Sequence, residues 1–554
     1  MEKRLLLAFA LMGIVLFATQ YFFKPSVPSR PTPAQQTAKE PSKVPEPAVA
    51  AVAPPPPAAT TPPATALPQV AAAKDETYTI ETDVYRVVFA NRGAVVKSWQ
   101  LKHFKDGNGK PLELVNLAAV QKVYYPFTFV FKDEKPSIDL NQALFIGKLA
   151  PDSLGIDFEY SNGKTAAKKA FRFDRASYRS EVDSEASEAG KPIPHLLAWR
   201  GGFGDETVVA SAASQHSLYF ETKLVTHDAK AAKDGPVTNS GQFSFAGLED
   251  AFFACVVLPK GHVELQTIAD NVATEKDPQK EELHVGAAFG GEAVNHLPLF
   301  VGPKDLDLLR KVDPKLESIV DFGTWFGLLA KPLFLGLNYV NDKYVHNYGW
   351  SIVLVTVIIN FLLLPLKLSS MKSMKKMQTL QPQIAAINER YKNVSLKDPK
   401  KAQQNEEVMA LYKKHGVNPM GGCMPMALQV PFFIAFYTVL TVAIEMRGAQ
   451  WLWITDLSQP ETLPLHVLPL LMIGTQFWLQ SMTPNTAADP SQQKMMKFMP
   501  LMMGFFFYSA KAGLVLYWLT GNLVGVVQQW FFNRITPAPA TAEITAPKKK
   551  GPRN

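Results

Sequence analysis

The 554-residue chain has only two cysteines, Cys255 and Cys423. That excludes a disulfide-stapled scaffold. Charged residues make up 19% of the chain, slightly below ordinary globular usage. The formal net charge of +8 is too mild to point to nucleic acid by itself. No H-E-x-x-H and no G-x-x-x-x-G-K-[ST] stretch occurs, so neither a zincin-type centre nor a nucleotide-driven motor is indicated. The ten histidines are dispersed, and His195, His216, His227 and His262 lack metal-ligand spacing. No catalytic residue, metal or cofactor is therefore expected. Aromatic residues are missing between Phe23 and Tyr78, and 43 prolines outnumber 33 glycines. Such averages conceal a mosaic.

Residues 5–23 carry no charge and follow Lys3 and Arg4. The run predicts an uncleaved signal-anchor span over 1–23 with a cytosolic N-terminus, a cleaved signal being the alternative. Residues 24–74 hold 14 prolines and predict a disordered Pro/Ala-rich linker. Over 75–302, short alternating runs such as Tyr85–Phe89 are separated by turns such as Asn91-Arg92-Gly93 and Ser161-Asn162-Gly163. This predicts an all-β sandwich on the outer side of the membrane. Residues 303–345 read as helical, with Lys331-Pro332 breaking the pattern, and suit an interfacial amphipathic segment or a core helix.

Beyond 345 the chain reads as membrane. Apolar runs occupy Gly349–Leu366, Cys423–Ile444 and Leu463–Met482. Met495–Phe532 is too long for one crossing and is broken at Lys511-Ala512-Gly513, so it reads as two. The fold class expected is a polytopic α-helical membrane protein of six spans, five of them a core over 346–535, plus the β domain. Residues 367–417 carry eleven Lys/Arg against four acidic residues, and the tail 536–554 is also basic. The positive-inside rule places both, and hence both termini, in the cytosol. The two cysteines then fall on opposite sides and cannot pair.

Polar side chains inside apolar helices are costly and mark function. Thr356 and Asn360 share one helix face, as do Gln476 and Gln480; Gln429, Thr520 and Asn522 lie on other spans, with Gln528 and Gln529 further along the last. Together they suggest a hydrated cavity, although each alone also serves as interhelical glue. The segment 367–417 predicts a cytosolic helical hairpin. Its Met371, Met374 and Met377 alternate with Lys372, Lys375 and Lys376, a face suited either to varied apolar partners or to simple packing on the membrane surface.

The stretch Asn418-Pro419-Met420-Gly421-Gly422-Cys423-Met424-Pro425, running into Gln429-Val430-Pro431, adds a family signal. With Leu380-Gln381-Pro382, Trp453-Ile454-Thr455-Asp456-Leu457 and Gly513-Leu514-Val515-Leu516-Tyr517-Trp518, the chain resembles the YidC-type membrane protein insertases of Gram-negative bacteria, in the oxidase-assembly insertase superfamily. The resemblance implies a five-helix insertase core with a hydrophilic groove closed toward the periplasm, to which Tyr517 and Trp518 also belong. It implies a non-enzymatic insertase and chaperone in the inner membrane, acting as a monomer. Its partners would be nascent membrane proteins, the Sec translocon, the ribosome and the lipid bilayer. The family usually has an arginine one turn after the threonine in the first core span; here the position is Asn360, and Lys367 is the nearest cation in sequence, at the groove mouth. A transporter or channel with a periplasmic sensor would instead show inverted repeats or an intramembrane carboxylate, and neither is visible.

Overall fold

The computed structural model describes residues 68–208, 211–273, 280–323, 327–391, 400–417, 424–484 and 490–536. The expected anchor, most of the linker, the 418–423 part of the family motif with Cys423, residues 392–399 of the expected hairpin and the basic tail lie outside the described residues. The chain forms two compact units, one of Met1–Asp250 with Ala254–Gly302, the other of Ala251–Phe253 with Pro303–Asn554.

The first unit is β-rich, with twenty antiparallel strands in sheets of eleven, five and four among the described residues. The period-2 pattern sets the core. In Thr165–Phe173 the side chains of Thr165, Ala167, Lys169, Phe171 and Phe173 point inward. That strand pairs with Arg179–Glu188, with Phe171 opposite Val182. Around Phe171 stand Phe89, at 4.8 Å between ring centroids, and Phe127, at 5.5 Å. Cys255 is a free, buried thiol in Phe253–Val257, and burial pushes its pKa up. The β unit starts earlier than composition suggests, because Gln69–Val70 pairs with Asn162 and Ser161.

The pleat also carries Lys169 inside. Its ammonium donates to the carbonyls of Gly93 (2.9 Å), Ala94 (3.2 Å) and Phe127 (2.6 Å), and lies 4.0 Å from the Phe129 ring centroid. All three carbonyl residues have positive φ, and two of them are not glycine. The lysine thus gathers turns that the backbone alone disfavours. Nearby, His195 is buried; its Nδ1 faces the Ile193 carbonyl and its Nε2 faces Ser184 Oγ at 2.8 Å and Asn295 Nδ2 at 3.1 Å.

The second unit is helical. Leu306–Val312 (α1) is capped by Asp305, whose carboxylate accepts from the Leu308 N–H. Glu317 then pairs with Arg310 at 2.7 Å and with Lys331 of Gly327–Val340 (α2) at 2.5 Å. The lysine that interrupts the apolar pattern of α2 is therefore anchored by Glu317. Tyr348–Leu362 (α3) follows, its first turn capped by Asn347. It stops at Leu363, because Pro365 in the next first turn has no N–H to continue the ladder. The expected run Gly349–Leu366 is therefore interrupted before its end.

The hairpin arm entering the 367–417 segment is two helices, Leu364–Thr379 (α4) and Gln381–Arg390 (α5), with Pro382 in the first turn of the second. Lys400–Lys414 (α6) returns. It ends in a Schellman cap, where Gly416 (φ +61°) donates to the Lys413 carbonyl and Val417 to the Tyr412 carbonyl. Met424–Val442 (α7), Val467–Met482 (α8), Pro490–Phe507 (α9) and Ala512–Ile535 (α10) complete the unit. The break between α9 and α10 falls at the expected Lys511 turn. Among the described residues no single helix is long and apolar enough to cross a membrane; Gly327–Val345 and Tyr348–Leu362 pass only together, with a 114° bend. Helix length alone thus does not establish the expected five core spans.

Candidate polar groove in the helical unit

α10 is the hub. It packs against α3, α7 and α8, and most of its first nine residues are buried. From α7, Gln429, Phe433 and Phe436 share one face at i, i+4 and i+7. Gln429 Nε2 donates to the Tyr517 hydroxyl at 2.5 Å, and Phe436 stacks on the Tyr517 ring at 4.1 Å. Trp518 Nε1 donates to Gln476 Oε1 of α8 at 3.2 Å, and its ring meets Phe433 and Phe507 at 5.4 and 5.2 Å. Asn522 Nδ2 donates to the Met472 carbonyl and to Thr475 Oγ1.

A second cluster lies against α3. Thr356 Oγ1 donates to the Ile352 carbonyl, and Asn360 Nδ2 donates to the Thr356 carbonyl at 2.8 Å. Lys367, in the first turn of α4, turns back and donates to Asn360 Oδ1 at 2.5 Å. Gln528 of α10 donates to the Asn360 carbonyl at 3.3 Å, and its own side-chain oxygen is buried without a partner. Thr520 donates to the Leu516 carbonyl within α10. The structure therefore gathers Thr356, Asn360, Lys367 and Gln528 into one set, and Gln429, Gln476, Tyr517, Trp518 and Asn522 into another. Gln480 is half-buried one turn along α8 from Gln476. No member of either set is acidic.

The methionine stripe packs largely within the hairpin. Met371 and Met377 are buried, and Met374 packs on the hairpin's own cluster of Met377, Leu380, Ile384, Tyr412 and Val417. Lys372 is exposed, whereas Met374 and Lys375 are both half-buried. Lys376 is exposed, and Lys375 lies 5.8 Å from the Phe532 ring centroid. The aromatic residues packed on Tyr517 and Trp518, namely Phe433, Phe436 and Phe507, were not singled out from sequence; the helical spacing from Gln429 carried the signal for the first two.

One end of the helical unit is closed by its own loops. The Leu457 carbonyl accepts from the Gly513 N–H at 2.9 Å, and the Gln459 carbonyl from the Ala512 N–H at 2.8 Å. Asn347 Nδ2 donates to the Gln450 carbonyl, and Trp350 meets Trp451 at 5.5 Å. Glu461 accepts from Trp453 Nε1 and from the Leu468 N–H at the start of α8. Among the described residues no group of His, Cys, Asp and Glu is placed to hold a metal.

A polar seam with one cation, Lys367, and no acidic residue thus runs inside an apolar helical bundle that follows a β-rich unit in the chain. The family described as 60Kd inner membrane protein matches residues 340–539, and the family described as YidC periplasmic domain matches residues 77–335. The chain is 33% identical to a membrane protein insertase YidC of Syntrophus aciditrophicus, over 96% of this chain and 100% of that one. Similar proteins of the same name occur in Geotalea daltonii, at 33% over 97% of this chain and 100% of that one, and in Ralstonia nicotianae, at 34% over 83% of each. The chain belongs to the YidC family of membrane protein insertases, inner-membrane proteins with a periplasmic domain.

Proposed function

We propose that the two polar sets around α10 form one hydrophilic groove through which hydrated segments of newly made inner-membrane proteins pass while their apolar segments enter the bilayer. The observation that carries this reading is the convergence of Gln429, Gln476, Asn522 and Gln528 on or beside α10 without any acidic residue. Such a lining lowers the cost of bringing a polar segment into a low-dielectric slab. Partition of the apolar segment, at about 0.8 kcal/mol per buried CH₂, supplies the driving force without a nucleotide.

The topology proposed is six spans: the anchor 1–23, then α3, α7, α8, α9 and α10, with both termini cytosolic. Outward apolar side chains support it, among them Ile358 and Phe361 on α3, Leu471 and Trp478 on α8, Phe505 on α9, and Val527 and Phe531 on α10. In this reading the disordered linker ends before Gln69, where the β domain begins, and α2 lies at the outer interface. Lys367, held by Asn360, supplies the cation at the groove mouth. The hairpin lysines suit ribosomal RNA or anionic lipid by charge, and chaperoning alone or beside the Sec translocon, as a monomer, completes the reading.

Site-specific photocrosslinkers at positions 356, 360 and 517 test it against ribosome-stalled inner-membrane nascent chains. Crosslinks from all three positions are expected. Their absence with every nascent chain tried rejects the groove.

A further inference from the structure

Lys511 is a charge in an apolar stretch, between Ala510 and Ala512, with no acidic neighbour in sequence. We propose that it is a latch holding the outer end of the groove shut, an inference that rests on the groove and topology proposed above. Its ammonium donates to the Leu440 carbonyl at 3.2 Å. Leu440 lies in the last turn of α7, where carbonyls have no partner within the helix and the dipole favours a cation. The main chain of Lys511 meanwhile bridges to Pro460 of the 447–466 loop. The next two N–H groups bind the Gln459 and Leu457 carbonyls. One residue thus ties three segments: the end of α7, the outer loop and the start of α10.

The fit is close. A Cβ on Gly513 would stand 2.8 Å from Leu440 Cδ2 and 3.1 Å from the Leu457 carbonyl oxygen, so α7, the loop and α10 meet with no room for a side chain. Tyr517 lies one helical turn inside this junction, roughly 6 Å along α10, and its hydroxyl accepts from Gln429, which sits deeper still, eleven residues before Leu440 on α7. A polar segment entering between α7 and α10 pushes those helices apart at the point the lysine spans. The rest of the closure consists mainly of backbone bonds and Trp packing. The lysine adds a charge-assisted bond that reaches the second helix directly. It acts on passage through the groove by position, without touching the substrate.

The test uses the full chain in cells, with Gln429→Cys as reporter and with Cys255→Ala and Cys423→Ala. A membrane-impermeant maleimide is applied from the outer side and, separately, to inside-out vesicles. With Lys511 present, the reporter is protected from the outer side. In Lys511→Met its outer labelling rises about tenfold or more, the size expected for loss of one charge-assisted hydrogen bond. Lys511→Arg restores protection, because its guanidinium reaches the same carbonyl. Labelling in inside-out vesicles stays constant across the three. Unchanged outer labelling in Lys511→Met, or failure of Lys511→Arg to restore protection, overturns the latch. Where Lys511→Met does not accumulate, Lys511→Gln replaces it with the same two readings. A reporter unlabelled from both sides overturns the groove itself, and the latch with it.

Discussion

The Lys367 ammonium and the Asn360 side chain, seven residues apart across the Leu363 break, share a hydrogen bond of 2.5 Å. The amide uses both ends, accepting from Lys367 and donating to the Thr356 carbonyl. An asparagine at this position therefore fixes where a charge from the next helix rests.

Removing the amide leaves that ammonium half-buried without its acceptor. Asn360→Leu is expected to lower the thermal stability of the detergent-solubilised chain by about 1–3 kcal/mol. It should also impair growth of insertase-depleted cells more than Asn360→Arg, which restores a cation directly. Equal and full complementation by both variants would reject this account.

Tyr517 contributes a ring and a hydroxyl. Tyr517→Phe keeps the stack on Phe436 and loses the bond from Gln429, so a cost of about 1 kcal/mol is expected. Tyr517→Ala also opens a cavity, with a cost of about 3–5 kcal/mol. Thermal denaturation of the two variants side by side measures the difference.

Lys169 makes a sharper prediction. Burial pulls its pKa well down, yet three carbonyls accept from it, and a neutral amine has only two hydrogens to give. The ammonium form satisfies all three. Lys169→Met, of similar length and more apolar, is expected to cost about 3 kcal/mol or more, because three buried acceptors lose their donor. A methionine variant as stable as the parent in chemical denaturation would show that the charge contributes nothing.

His195 sets an acid limit on the β unit. Burial, with the Lys169 charge adding to it, holds its pKa down to about 4 from an ordinary 6.5. The unfolded chain takes up the proton near pH 6.5 while the folded chain does not until about pH 4. The stability is thus fully present above pH 6.5, falls as pH drops, and levels off below about 4. The slope is at most about 1.4 kcal/mol per pH unit. Denaturant unfolding of the full chain between pH 4 and 7.5, compared with His195→Gln, should show that slope flattened in the variant.

Much of this was legible in residue order, for identifiable reasons. Turn residues such as Asn91-Arg92-Gly93 bound strands because glycine tolerates the left-handed backbone, and Gly93 has φ +73°. The split at Lys511 was readable because one apolar run exceeded one crossing. The polar positions on α3 and α10 stood out because amides are costly among Leu and Val. Other features depend on tertiary pairing. Nothing around Lys169 distinguishes an inward lysine from the outward Lys168 except strand register. The use of Met374 and Met377 depends on α6 folding back onto α4 and α5. Lys367 reaches Asn360 only because Pro365 breaks the helix between them.

The bend between α2 and α3 has a mechanical consequence. If α3 stands upright in the proposed topology, a 114° turn lays α2 nearly flat, with Leu328, Leu335 and Tyr339 outward and Glu317 gripping Lys331 behind. The bundle then cannot rise or sink without dragging α2 through the headgroup layer. The elbow sets a waterline, and with it the depth at which every polar residue of the bundle meets the bilayer.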